Sequence, residues 1–155
     1  QHPAAQAYAP APGTPPAGGA ATPRAKSAAR PLVQRRQVSA LRQFGDPHAS
    51  LLAGFTAMAK VLERTGLTLA DMDRIEFMEA FAVTIAKFHR DYPVDPAKVN
   101  VAGGHIARGH PMGASGAILV STLLDVLDAS NGRLGLVVCS GAAGVGAAMV
   151  IERLG

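Results

Sequence analysis

The sequence has one cysteine, no tryptophan and no long apolar run. Cys139 is the only cysteine among 155 residues, so no disulfide can form within the chain. A lone cysteine of this kind suits a reducing compartment. No stretch of about 18 uninterrupted apolar residues occurs, and the N-terminus lacks the layout of a secretory signal. We therefore expect a cytoplasmic protein with no membrane partner.

Acidic residues are scarce in the first 47 residues, which carry six Lys or Arg and one Asp. The rest of the chain carries nine basic and ten acidic side chains, so the net charge of +4 comes from the N-terminal arm. Only Tyr8 and Phe44 add aromatic rings to this arm, so nucleic-acid binding would depend on charge alone. We expect no nucleic-acid partner.

Residues 1–30 consist mostly of Ala, Pro and Gly, and they lack branched apolar side chains that could offset the entropy of ordering. This composition predicts a disordered tail or linker over 1–30. The remaining residues, 31–155, suffice for one α/β domain with a single core.

Apolar spacing predicts the elements of this domain. Helical spacing predicts helices over residues 48–64, 80–88 and 117–129, with a short helical turn over 69–72. Gly66 and Asn131-Gly132 end two of the helices, and Thr68 with Asp71 begins the short turn. Apolar runs predict strands over residues 31–44, 75–77, 99–101, 134–139 and 147–151, the last two forming an antiparallel hairpin.

Three motifs lie at the boundaries of these elements. The first, MEAF at residues 78–81, contains Glu79 at the expected start of a helix, where the helix dipole stabilises a carboxylate. Glu79 is either a simple helix-start acid or a group that orients a neighbouring catalytic side chain.

The second motif is GGHIARGHPMGASG at residues 103–116, which runs into a long apolar helix. Its small residues allow backbone and substrate to approach closely. His110 lies at or just before the helix N-terminus, a position that disfavours the imidazolium ion and suits a general base. His110 is therefore our first catalytic candidate, whereas His105 fits a polar loop residue equally well. The motif lacks the spacing of phosphate-binding loops, which argues against a nucleotide site.

The third motif is CSGAAGVG at residues 139–146, where a cysteine leaves an apolar strand and enters a glycine-rich loop. Peptide N–H groups in such loops can bind a developing oxyanion. Cys139 is either a small buried hydrophobic residue or a catalytic thiol. Because it has no partner cysteine and the histidines show no ligand spacing, we expect no metal site.

In this order and spacing, the three motifs resemble the C-terminal signatures of thiolases, enzymes that make or break carbon–carbon bonds in acyl-CoA thioesters. Flanking segments resemble the same family: LERTGLT at 62–68, VDPAKVN at 94–100 and IER at 151–153. The resemblance implies one of two similar halves that share a layered α-β-α-β-α fold. It predicts a thiolase-like C-terminal half, with a mixed five-stranded sheet and helices on both faces.

The resemblance also implies the chemistry. In thiolases a nucleophilic cysteine of the N-terminal half carries the acyl group, and the C-terminal half supplies acid/base and oxyanion groups. By this resemblance His110 activates the nucleophilic thiol and Cys139 exchanges the α-proton of the attacking acyl-CoA. The Gly141 N–H supports an oxyanion, and a coenzyme A thioester is the substrate.

Met78 is the main departure from the family, which usually has Asn or His at this position. A thioether cannot donate the hydrogen bond that those side chains provide. Loss of one direct oxyanion contact costs ~10²–10³ in rate. Ala142 and Ala143 also replace glycines, so the preferred substrate is expected to differ from the common acetoacetyl case.

Three functions follow from the resemblance. The leading hypothesis is the C-terminal half or subunit of a thiolase-like acyltransferase of lipid metabolism, which catalyses Claisen condensation or thiolysis of 3-ketoacyl-CoA. It would act only with an N-terminal half or partner subunit, in a homo- or hetero-oligomer. The alternatives are a non-catalytic subunit that binds acyl-CoA or stabilises a partner, and a thiolase-like aldolase subunit.

Overall fold

The computed structural model of the chain describes residues 36–44 and 51–154. The tail predicted over residues 1–30 lies outside the described residues, as does the start of the first predicted strand, and both stay predictions. Helices α1 to α4 span Ala53–Thr65, Ala82–Asp91, His105–Arg108 and Ser115–Ser130. Strands β1 to β4 span Arg36–Phe44, Arg74–Phe77, Leu134–Ser140 and Val145–Arg153.

Within the described residues the four strands form one sheet in the order β1-β4-β3-β2. The pairs β1/β4 and β3/β4 are antiparallel, whereas β2/β3 is parallel. The prediction of a mixed sheet is therefore confirmed. The predicted hairpin is also confirmed, because β3 and β4 pair directly and only a tight turn over Ala142–Gly144 separates them.

The expectation of five strands is wrong for the described part of the chain. Residues 99–101 do not form a strand, because only Val99 makes an isolated parallel bridge, to Ile75. Asn100 follows with φ +48°, in the left-handed region, and this turns the chain away from the sheet edge.

Helices α1 and α2 cover one face of the sheet. Their apolar side chains form a core cluster with inward residues of β2, β3 and β4. At its centre the ring centroids of Phe77 and Phe88 lie 4.7 Å apart, and Phe55 packs on Phe77 at 5.3 Å. The helix predicted from residue 48 begins only at Ala53, because Leu51 has φ +74°. Gly66 ends α1 as predicted.

Helix α4 covers the opposite face. Leu119, Leu123 and Leu127 project from it onto Val137 and Ile151 of the sheet. The prediction of helices on both faces is therefore confirmed, and Asn131 ends α4 in the left-handed conformation, as expected. The short turn predicted from Thr68 is a single helical turn at Leu69–Asp71, with the Thr68/Asp71 capping box in place.

The first turn of α1 lies directly against the start of β4. A Cβ added at Gly146 would lie 2.2 Å from the Ala53 carbonyl oxygen and 2.6 Å from the Gly54 nitrogen. The Gly54 N–H in turn donates to Ser140 Oγ at 3.1 Å. This backbone contact leaves no room for a side chain, and it anchors the loop that follows β3.

Replacing Gly146 with alanine should therefore destabilise the domain. Backbone atoms cannot rotate away from the new methyl group, so we expect the free energy of unfolding to fall by about 1–3 kcal/mol. Urea denaturation followed by circular dichroism would measure this change. Gly113→Ala is the matched control, because a Cβ there meets no atom within 4 Å. Equal stability of the two variants would contradict the close contact.

Candidate active site

A cavity of about 450 Å³ opens where β3 ends and α4 begins. It brings together four of the five residues singled out from the sequence: Met78, His110, Cys139 and Gly141. These residues come from three separate motifs, the second and third of which lie on opposite sides of α4 in the sequence. Glu79, the fifth residue, does not line the cavity.

Ser115, the first residue of α4, orients the ring of His110. His110 Nδ1 lies 2.7 Å from Ser115 Oγ, and this hydroxyl donates its single proton to the Pro111 carbonyl oxygen at 3.0 Å. With this hydroxyl proton used by Pro111, we assign the ring proton to Nδ1, which donates it to Ser115 Oγ. The lone pair of Nε2 is thereby left to accept a proton, as a general base requires. Ser115 lies five residues after the histidine, but the sequence pattern alone did not indicate this role.

His105 is buried beneath His110 and is not an exposed loop residue. Its ring lies 5.4 Å from the His110 ring in an edge-on arrangement, and its relative exposure is 5%. Neither of its ring nitrogens has a hydrogen-bond partner among the described residues. Burial, together with the neighbouring His110, lowers the pKa of His105. The ring therefore stays neutral and supports His110 from below.

Glu76 is a second buried ionisable side chain close to this region. It lies on β2 with 1% relative exposure, and neither carboxylate oxygen has a hydrogen-bond partner among the described residues. Burial raises the pKa of Glu76 to about 7, a shift opposed by the charge of Arg108 and reinforced by that of Glu79. The carboxyl group is therefore largely protonated in mildly acidic solution.

Cys139 is the next-to-last residue of β3 and is half-buried. Its sulfur faces the first turn of α4, because a Cβ added at Gly116 would lie 3.9 Å from Sγ. Burial raises the pKa of Cys139 to about 11. The thiol packs against the apolar cluster under α4 and also lines the cavity, and its catalytic role stays a prediction.

Gly141 closes the loop that follows β3. Its N–H donates to the Val145 carbonyl oxygen at 2.6 Å. An oxyanion bound by this amide would have to replace that hydrogen bond. The oxyanion role of Gly141 therefore stays a prediction, and it requires the loop to open at this point.

Met78 forms part of an apolar wall of the cavity. Its relative exposure is 5%, and it packs in the same cluster as Leu119 and Leu123 of α4. The backbone N–H of Met78 donates to the Val138 carbonyl oxygen at 2.8 Å, which continues the ladder between β2 and β3. The side chain thus contributes packing where Asn or His would contribute a polar group.

We expected Glu79 at the N-terminus of the following helix, but it lies before that helix. Helix α2 begins only at Ala82, because Ala80 has φ +54° and Phe81 is extended. The Glu79 carboxylate instead accepts the Ile106 N–H of α3 at 2.7 Å. Glu79 therefore connects the first motif to the second.

Neither a metal site nor a membrane-spanning helix is found in the part of the chain that the structure describes. No group of three His, Cys, Asp or Glu side chains there is arranged to hold a metal ion. None of the described helices combines the length and the apolar character needed to cross a bilayer.

The sequence of this domain matches a known protein family. The family model described as the C-terminal domain of thiolase matches residues 32–153. The chain belongs to the thiolase family. The matched range contains all three motifs and every described strand and helix, so the resemblance seen in the sequence is confirmed.

Individual thiolases show the same relationship. The chain is 39% identical over 125 residues to the steroid 3-ketoacyl-CoA thiolase FadA6 of Mycobacterium tuberculosis, covering 81% of this chain and 30% of that protein. It is 49% identical over 98 residues to an acetyl-CoA acetyltransferase of Escherichia coli, covering 63% and 25%. It is 45% identical over 113 residues to a β-ketoadipyl-CoA thiolase of Acinetobacter baylyi, covering 70% and 28%. The alignments thus span about a quarter to a third of each relative.

Ser115→Ala should change the tautomer of His110 in this thiolase domain. The substitution removes the acceptor for Nδ1–H, and a hydrogen bond of about 1 kcal/mol corresponds to a roughly fivefold change in the tautomer ratio. The ¹⁵N chemical shifts of the ring, measured by NMR, report this ratio. Ser115→Thr keeps a hydroxyl and should give the wild-type shifts. Unchanged shifts in the alanine variant would contradict the assigned tautomer.

The thiol of Cys139 should react slowly with alkylating reagents. With a pKa of about 11, only about 0.1% of the thiol is ionised at pH 8, and ionisation rises as the pH rises. The rate of iodoacetamide labelling should therefore increase about tenfold per pH unit between pH 8 and 10. The urea-unfolded chain, with the same single cysteine, should level off near its ordinary pKa of about 8.5. The same levelling in the folded chain would contradict the raised pKa.

Proposed function

We propose that the chain is the C-terminal half, or a separate subunit, of a thiolase-like acyl-CoA acyltransferase. It would supply acid/base groups for Claisen condensation or thiolysis of 3-ketoacyl-CoA, with a coenzyme A thioester as substrate. The observation that carries the proposal is the shared cavity, where His110 with an available Nε2 meets the thiol of Cys139.

The proposed roles follow from the protonation of these two side chains. His110 Nε2 would accept the proton of a nucleophilic thiol supplied by the N-terminal half, and the acyl group would pass to that sulfur. Cys139 would exchange a proton with the α-carbon of the attacking acyl-CoA. Because burial holds Cys139 in its thiol form, it would donate its proton to the α-carbon when 3-ketoacyl-CoA is cleaved. In the condensation direction the thiol must first lose that proton before it can accept the α-proton of the acyl-CoA.

An apolar surface that no described residue covers supports a partner for this half. A groove of about 640 Å³ runs between α4 and the adjoining ends of β3 and β4, and Cys139 lies in its wall. Several large apolar side chains near the site are also exposed, among them Met112 at 84% and Phe81 at 60%. Contiguous apolar surface of this kind is characteristic of an interface. The partner would be an N-terminal thiolase half, on another chain or on the same one.

The substrate is proposed only as a class. The names of the three relatives refer to acetyl-CoA, a steroid 3-ketoacyl-CoA and β-ketoadipyl-CoA, which differ greatly in their acyl groups. Met78 and Met112 both line the cavity, and flexible thioethers adapt to acyl groups of different shapes. A cytoplasmic, oligomeric acyltransferase remains our proposal for the whole protein.

A non-catalytic thiolase-like subunit is the second candidate. Two observations favour it: Met78 offers no hydrogen-bond donor to the cavity, and the Gly141 N–H is already bonded to Val145. In that case the chain would stabilise a catalytic partner or bind acyl-CoA without turning it over.

Activity of the chain mixed with a matching N-terminal half should separate these candidates. We expect CoA-dependent cleavage of 3-ketoacyl-CoA. Chromatography of the products would measure this cleavage and would also distinguish thiolysis from aldol cleavage. His110→Ala should lower kcat by about 10²–10⁴, the usual contribution of a general base. His89→Ala, at an exposed histidine on α2, is the matched control and should leave the rate unchanged. No turnover with any acyl length, while the complex forms, would favour the non-catalytic subunit.

A further inference from the structure

The outer edge of β2 is completed by a side chain. The Asn100 N–H donates to the Ile75 carbonyl oxygen at 2.8 Å. Phe77 is the next residue of β2 whose backbone N–H and carbonyl point toward this edge. Its N–H donates to Asn100 Oδ1 at 2.8 Å, and its carbonyl oxygen accepts from Asn100 Nδ2 at 3.0 Å. The side-chain amide of Asn100 therefore takes the place of the peptide group of a neighbouring strand.

Few side chains could replace asparagine at this point. The backbone has φ +48°, a conformation that asparagine and glycine adopt readily. The two bonds to Phe77 need one donor and one acceptor on the same short side chain. Aspartate lacks the donor and glycine lacks both groups.

The same amide also reaches Glu79. Asn100 Nδ2 lies 3.3 Å from Glu79 Oε1, while Glu79 Oε2 accepts the Ile106 N–H at 2.7 Å. Gly104 lies so close that an added Cβ would be 2.3 Å from the Glu79 carboxyl carbon. The Glu79 carboxylate is thus held between Asn100 on one side and the first turn of α3 on the other.

Helix α3 connects Glu79 to His110, the catalytic candidate. It begins with His105, whose buried ring supports His110 at 5.4 Å. The connected series therefore runs from Asn100 through Glu79 and α3 to His110. Of the residues in this series, only His110 lines the cavity.

We infer that Asn100 is a positioning residue, which fixes Glu79 and through it the segment that holds His110 in the cavity. The effect on catalysis depends on the proposed function of His110, whereas the effect on α3 does not. If Asn100 only closed the edge of β2, changing it would weaken the contacts at Phe77. Hydrogen exchange at the Ile106 amide and kcat would then stay unchanged.

Asn100→Asp tests the inference on the full chain without a partner. It keeps the size and the acceptor for the Phe77 N–H, but it places a second anionic oxygen against Glu79 and the Phe77 carbonyl. Hydrogen exchange should then show the Ile106 amide exchanging at least about tenfold faster, while amides in the middle of α4 and β3 keep their wild-type rates. Asn131→Asp is the matched control, because Asn131 is also left-handed but lies at the end of α4, outside this network.

A second substitution separates positioning from edge closure. In the double variant that combines Asn100→Asp with Glu79→Gln, the new side-chain amide at position 79 can donate to the introduced carboxylate and still accept the Ile106 N–H. Protection of Ile106 should then return to within about threefold of wild type. The lost bond to the Phe77 carbonyl oxygen is not restored by this change. Should Asn100→Asp fail to fold, Asn100→Gly retains the left-handed backbone and should show the same faster exchange at Ile106.

In a complex with an active N-terminal half, Asn100→Asp should lower kcat by about 10- to 100-fold, with KM changed less than about twofold, and the double variant should recover most of kcat. An Ile106 exchange rate within about twofold of wild type in both single variants at Asn100 overturns the inference, as does a double variant that recovers no protection. Faster exchange at Ile106 without turnover in any complex would support the role of Asn100 and count against the proposed function. Turnover in the complex with unchanged exchange at Ile106 would support the proposed function and count against the role of Asn100.

Discussion

The alternation of side chains along β3 determines where the site lies. Successive residues of a strand face opposite sides of the sheet. Leu136 and Val138 enter the aromatic cluster under α1, whereas Val137 and Cys139 face α4. A slip of one residue would exchange these sets and remove the thiol from the cavity. Because both faces of the sheet are buried, the packing that stabilises the domain also fixes the position of the reactive group.

Much of this fold could be predicted from local patterns. The helical spacing of leucines indicated α4 and the face it buries, and the Thr68/Asp71 cap was readable as a helix start. Errors arose where a single residue has positive φ: Leu51 delays α1, Ala80 delays α2, and Asn100 ends the bridge at Val99 before a fifth strand can form. Leucine and alanine rarely adopt this conformation, so the residue types at positions 51 and 80 gave no sign of a turn, whereas asparagine at position 100 is a type that adopts it readily.

The site was predictable in its reactive groups but not in its supports. His110 and Cys139 stand in short motifs with unusual neighbours, which singled them out. Asn100 and Glu79 are 21 residues apart, and their contact exists only because β2 and the segment after Val99 meet in space. Ser115 and His105 lie close to His110 in sequence, yet only the folded turn shows which of them is hydrogen-bonded and which is merely packed.

Burial sets the charge state of the whole region, and it also limits the chemistry. It lowers the pKa of His105 and raises those of Glu76 and Cys139, so the neutral form is favoured at all three positions. Covering the apolar groove with a partner would exclude more water, which makes an isolated thiolate still less favourable. A thiolate formed beside an imidazolium is different, because the attraction between opposite charges grows as the dielectric constant falls. Under the proposed function, Cys139 would therefore give up its proton only while the His110 ring carries the compensating positive charge. The orientation of His110 then matters as much as its presence, because a ring turned away from the sulfur could not stabilise the thiolate.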